Sequence, residues 1–107
     1  MIYEMRTYEA LPGKIGALST RFGETTDVLF KKYGFKPVGY WTEDVGDNTK
    51  FHYMLAWKDD AERQTCWAEF RKDPERARAF AESEKDGRLV ARITNSIWRP
   101  TAFSALD

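Results

Sequence analysis

Alternation over residues 50–57, Lys-Phe-His-Tyr-Met-Leu-Ala-Trp, sends Phe51, Tyr53, Leu55 and Trp57 to one side and His52, Met54 and Ala56 to the other. This is the period of a strand with one deeply apolar face. Such a strand needs neighbours to pair its backbone and a layer to cover its aromatic side. Residues 36–44 supply one neighbour: Val38 and Tyr40 alternate with Gly39 and Trp41, and the turn signal Gly46-Asp47-Asn48 joins the two segments as a hairpin. Residues 2–8 form a further strand, with Tyr3, Met5 and Thr7 on one face and Glu4, Arg6 and Tyr8 on the other. Residues 88–98 form the last, with Leu89, Ala91, Ile93, Asn95 and Ile97 opposite Val90, Arg92, Thr94, Ser96 and Trp98.

Helical signals separate these strands. After Leu11-Pro12-Gly13, apolar residues at 15, 18, 22, 29 and 33 recur at helical spacing, and Gly34 is placed to end the helix. Asp59 with Glu62 reads as a variant capping box for a helix over about residues 60–72. Asp73-Pro74-Glu75 restarts it, with aspartate as cap and proline at the first helical position, and Gly87 closes it. The order is βαββαβ. It predicts one ferredoxin-like α+β domain over residues 1–107, a four-stranded antiparallel sheet with helices on one face. The other face is left open, with Trp41, Met54 and Trp98 as its expected occupants, and an apolar patch of that kind marks an interface or a ligand groove.

Composition narrows the function. Seventeen basic residues balance seventeen acidic ones, so no global field draws the chain to nucleic acid or an anionic membrane. Charges in the opening Met1-Ile2-Tyr3-Glu4-Met5-Arg6 do not fit a signal peptide, and no stretch approaches the ~20 apolar residues of a membrane span, so a cytoplasmic location is expected. Cys66 is the only cysteine and His52 the only histidine. There is no His-Glu-x-x-His, Cys-x-x-Cys, Gly-x-Ser-x-Gly, Walker or dinucleotide motif, so neither a metal nor a cofactor is expected. The strand order also occurs in RNA-recognition sheets, but the glycines of that signature are missing around Phe51 and Tyr53.

Glu4, Arg6 and Tyr8 share one face of a strand that this topology makes central. One reading is an internal Glu4–Arg6 ion pair. In the other, Arg6 offers a planar fork to a carboxylate or similar anion and Tyr8 a second donor. Trp41, Met54 and Trp98 complete the expected ligand-binding set, and His52, Tyr8 and Glu4 are the candidates for moving a proton. Arg63 is expected to be solvated, with pairing to an acid as the alternative. Phe103, beyond Pro100, is expected to pack on the rim of the fold or on a partner.

The string Tyr3-Glu4-Met5-Arg6-Thr7-Tyr8 followed by Pro12-Gly13-Lys14 resembles the opening of NIPSNAP family proteins. Gly34-Phe35-Lys36-Pro37-Val38-Gly39-Tyr40-Trp41, Met54-Leu55-Ala56-Trp57 with Arg63, Asp73-Pro74 and Pro100-Thr101-Ala102-Phe103-Ser104 continue the resemblance in order. It implies a dimeric α+β barrel in which two sheets face each other across a shared cavity, hence a homodimer or a dimer of dimers. Related barrels include cofactor-free monooxygenases and haem-degrading enzymes. The reading that follows is a homodimeric domain binding a small, apolar-bodied ligand through an anionic or carbonyl group. The alternatives are a cofactor-independent monooxygenase or isomerase, and a protein-interaction module.

Overall fold

A computed structural model describes all 107 residues. Four strands, β1 (Ile2–Ala10), β2 (Lys36–Thr42), β3 (Lys50–Trp57) and β4 (Val90–Trp98), form one antiparallel sheet in the order β2-β3-β1-β4. This is the ferredoxin-like arrangement that the element order requires. Between β1 and β2 runs a continuous helical rod: α1 (Ile15–Arg21), a π-helical turn (Phe22–Thr26) and α2 (Asp27–Lys32). Between β3 and β4 lie α3 (Asp60–Lys72) and α4 (Pro74–Ser83). No helix is long and apolar enough to cross a membrane.

The helix ends follow their local chemistry. The rod closes in a Schellman motif: the Phe35 amide donates to the Phe30 carbonyl at 2.9 Å and the Gly34 amide to that of Lys31 at 3.3 Å, with Gly34 at φ +82° where a side chain would be strained. Asp59 caps α3 by accepting from the Glu62 amide at 2.9 Å, and the Glu62 carboxylate reaches back to the Lys58 amide at 2.6 Å. The reciprocal bond therefore falls one residue before the cap. Asp73 caps α4, accepting from the Arg76 amide at 2.9 Å, and also receives Lys32 at 3.2 Å and the Tyr33 hydroxyl. One buried carboxylate thus ties together the ends of the rod, α3 and α4.

All helices pack on one face of the sheet, over Phe51, Tyr53, Leu55 and Trp57. The core is aromatic: Phe30 stacks on Phe35 at 4.4 Å, and both meet Trp67 and Phe70 of α3 edge-on or tilted. Each such ring contributes roughly 1.5–3 kcal/mol by leaving water. The opposite face carries Tyr3, Met5 and Thr7, then His52, Met54 and Ala56, flanked by Trp41 and Trp98. No helix covers it, and the chain is only 19 Å thick, the depth of one sheet and one helical layer. The C-terminal tail lies along part of this face, where the Tyr3 hydroxyl donates to the Asp107 carbonyl at 2.9 Å. Phe103 does not pack on the rest of the chain; it is 90% exposed. A bulge between Pro37 and Gly39 turns Val38 outward, and a Cβ at Gly39 would lie 2.7 Å from the Trp41 ring, so that ring can lie flat only over glycine.

Candidate functional site

β1 is central, and its polar side faces the helices rather than solvent. Glu4 is fully buried. Its Oε1 accepts from both indole N–H groups, Trp57 Nε1 and Trp67 Nε1, each at 2.9 Å, and Arg63 Nε lies 3.2 Å away. Its Oε2 is 3.8 Å from Arg6 Nη1. The expected Glu4–Arg6 pair is therefore loose, and the carboxylate serves chiefly to hold two tryptophans. Arg63 is not simply solvated: it bridges Glu4 and Asp60.

Arg6 sits in a cage of rings. Its Nε donates to the Tyr53 hydroxyl at 2.6 Å and its Nη2 to that of Tyr8 at 3.3 Å, and the guanidinium lies 4.7 Å from the centre of the Trp67 ring. Burial pulls its pKa down, but the two phenols more than offset this and hold it above that of a free arginine. It remains a cation at every physiological pH. Burial, and then Tyr8, push the Tyr53 phenol well above its ordinary range, so Tyr53 stays neutral. The two phenol oxygens are 3.2 Å apart, close enough to hydrogen-bond each other while both accept from the guanidinium.

Arg6 and Tyr8 form the floor of a cleft of about 510 Å³ between the β1–β4 half of the sheet and the helices. It opens on the β4 side, where Ile93, on the same face of the sheet as Tyr8, is 45% exposed. Phe22, Phe30, Trp67, Phe70 and Phe80 supply apolar walls. Six of the chain's nine arginines line it, Arg6, Arg21, Arg71, Arg76, Arg88 and Arg92, against one carboxylate, Glu84. In a chain with no net charge, this concentration makes the cleft strongly cationic. Burial, with Arg71 and Arg21 nearby, lowers the Arg76 pKa despite an opposing pull from Tyr8, which shows how closely the cations are crowded. No group of three or more His, Cys, Asp or Glu side chains is arranged to hold a metal ion.

The six expected ligand-binding residues do not form one site. Glu4, Arg6 and Tyr8 face the helices, whereas Trp41, Met54 and Trp98 lie on the opposite side of the sheet, because each strand alternates and the register pairs Arg6 with Tyr53 but Met5 with Met54. A ligand bound to a single chain cannot touch both sets. Of the first set only Arg6 and Tyr8 line the cleft; Glu4 lies beneath it. His52 is also on the open face, with Nδ1 2.8 Å from Thr7 Oγ1 and Nε2 2.8 Å from Glu43 Oε2. It is remote from the cleft by a sheet's thickness. Sequence reasoning missed Arg21, Arg71, Arg76, Arg88 and Arg92. Arg21 had one detectable signal: it follows Leu18 by three residues, on the apolar stripe of its helix, where a solvated arginine does not belong.

Comparison with known proteins agrees with this architecture. A NIPSNAP family protein of unknown function from Agrobacterium tumefaciens superposes with a TM-score of 0.85 at 25% identity, over 100% of this chain and 94% of its own. A NIPSNAP-like domain protein from Burkholderia xenovorans gives 0.85 at 21% identity, covering 96% of this chain and 87% of that one. A candidate antibiotic biosynthesis monooxygenase from Nitrosomonas europaea shares the fold at a TM-score of 0.66 and 13% identity, over 94% of this chain and 98% of its own. No curated protein sequence matches the chain at a significant level. The NIPSNAP family model matches residues 3–105, nearly the whole length of sheet, helices and tail described above, and the chain belongs to the NIPSNAP family.

Proposed function

We propose that this domain is a homodimeric binding protein for a small organic anion, held in the cleft between sheet and helices with its apolar body against the aromatic walls. Arg6 anchors the anionic or carbonyl oxygen and Tyr8 adds a second donor. The observation that carries this reading is the position of Arg6, a permanent cation caged by Trp67, Tyr8 and Tyr53 in the floor of a cleft that opens to water. A half-buried guanidinium whose nearest carboxylate stands 3.8 Å away has capacity left for a further acceptor.

Benzoate is a suitable probe, having one carboxylate on one ring. Titration calorimetry should show it binding the wild-type protein, and Arg6→Lys should leave a folded protein whose affinity falls by roughly 1–3 kcal/mol, since lysine keeps the charge but loses the fork. Unchanged affinity rejects the anchor role, and unfolding of the variant assigns Arg6 to the structural ion pair instead.

A second reading, a cofactor-independent enzyme, draws on the fold shared with the candidate monooxygenase and on Tyr8. Of the three residues considered for proton transfer, Tyr8 alone lines the cleft, and its hydroxyl is next to both Arg6 and Tyr53. Under this reading Tyr8→Phe abolishes turnover of a substrate while benzoate still binds. Turnover that survives the change excludes Tyr8 as the acid or base.

A further inference from the structure

Five buried polar side-chain atoms have no hydrogen-bond partner: Glu4 Oε2, Arg21 Nε, Thr26 Oγ1, Arg63 Nε and Arg76 Nε. Those of Glu4 and Arg63 belong to the ion-pair cluster under β1, where each has an opposite charge within 3.8 and 3.2 Å respectively. The other three all belong to residues lining the cleft. Native proteins rarely leave buried polar atoms unpaired, so three at one cavity point to an acceptor that belongs there.

Their setting defines that acceptor. Arg21 is 7% exposed at the end of α1, and its guanidinium lies 4.3 Å from the centre of the Phe80 ring. Arg76, from the first turn of α4, lies 4.7 Å from the same ring and 5.1 Å from that of Phe70. Two guanidiniums thus share one phenyl ring. Arg21 has only long contacts, 3.3 Å to Ser83 Oγ and 3.4 Å to Glu84 Oε2. Arg71 is close enough to help depress the Arg76 pKa. Three cations therefore meet one carboxylate, and two positive charges remain to be balanced. The π-helical turn matters here: Thr26, a residue of the cleft lining, closes it with a buried and unpaired hydroxyl, and such turns often occur at functional sites.

We propose that this end of the cleft is a subsite for a phosphate-type dianion, so that the ligand is an organic phosphate whose apolar body extends past Phe80 and Phe70 toward Trp67 and Arg6. Arg21 and Arg76 take the phosphate oxygens and Thr26 contributes a hydroxyl. A dianion neutralises the surplus charge, and a phosphate has enough acceptor sites for all three groups. The inference rests on reading the cleft as an anion site, but it assigns the charge specificity to residues other than Arg6.

The test compares phenyl phosphate with benzoate by titration calorimetry at matched ionic strength, so that general screening is the same for both. Wild-type protein should bind phenyl phosphate about 10-fold or more tightly than benzoate. Arg76→Gln should remove most of that preference by weakening phenyl phosphate much more than benzoate, whereas Arg6→Lys should weaken benzoate. Thr26→Val provides a second route that cannot fail through lost structural bonds, since its hydroxyl has none. It should keep or raise the melting temperature while lowering phenyl phosphate affinity several-fold. Equal affinity for the two probes overturns the dianion subsite while leaving the Arg6 anchor standing, as does a preference that survives both Arg76→Gln and Thr26→Val. Binding of neither probe overturns the subsite and the anion-binding reading together.

Discussion

Glu4 shows how a polar residue can be a core residue. Its carboxylate is completely enclosed, yet it receives two indole N–H groups and lies against Arg63, so the charge is retained by partners rather than by water. Removing it leaves two buried indole donors unpaired and Arg63 with Asp60 as its remaining carboxylate. Glu4→Ala should therefore destabilise the protein by about 3–5 kcal/mol, the range for breaking a buried pair from one side. Glu4→Gln should cost less, because an amide oxygen can still accept from both indoles. Urea denaturation followed by tryptophan fluorescence measures both, and equal losses for the two variants would show that charge, not acceptor geometry, is what matters. The site is only partly legible at this scale. Alternation on β1 shows that Glu4, Arg6 and Tyr8 share a face, but a polar face normally turns to solvent, and only the indoles of Trp57 and Trp67 reveal why this one turns inward. The remaining arginines come from α1, α3, α4, the loop before β4 and β4 itself. No local spacing links positions that distant.

Among the elements, the α3–α4 junction is the most strongly specified. Asp73 caps α4 while accepting from Tyr33 and Lys32, and the Tyr33 hydrogen bond first, then the Arg76 amide, hold its carboxyl at about 2 against desolvation. In the unfolded chain an aspartate titrates near ~3.9. The folded pKa is the lower one, so the unfolded state binds the proton more readily between these values. The resulting stability is complete above about pH 4 and is lost as pH falls toward 2. Asp73→Asn should lower the melting temperature at pH 7 and narrow its gap to wild type as pH drops from 5 to 2. A gap independent of pH would mean that the cap acts through its shape alone. Element positions were largely readable because the signals are local: alternation gave β3 as residues 50–57, Asp59 and Asp73 gave the two helix starts, and Gly34 the stop. The π-helical turn was not readable. Phe22 to Thr26 contains no proline, and its weak helix formers Gly23, Thr25 and Thr26 lower helix propensity without signalling an extra residue per turn, which shows only in which side chains meet the sheet.

For the whole molecule, the open side of the sheet is the surface through which we propose that the chain assembles. Trp41 and Trp98 are 46% and 49% exposed on it, with Met5 and Met54 paired between them in the register, and a single helical layer leaves nothing within the protomer to cover them. Two sheets packed face to face across a twofold axis would each remove on the order of 800 Å² from water, the scale of a stable interface. The tail runs along the same side and presents Phe103 at 90% exposure, so it would border such an interface. Analytical ultracentrifugation at micromolar concentration should therefore find a dimer, or a dimer of dimers. Met54→Arg tests where the contact lies. Met54 points away from the helical core, so the variant should keep its circular dichroism and melt cooperatively, but a cation introduced beside its symmetry mate should shift the protein toward monomer. Deleting residues 100–107 should weaken the dimer less severely, by removing the border and not the centre. A wild-type protein that is folded and monomeric at these concentrations would refute the packing of sheet on sheet. A Met54→Arg protein that remains fully dimeric would place the interface on another surface.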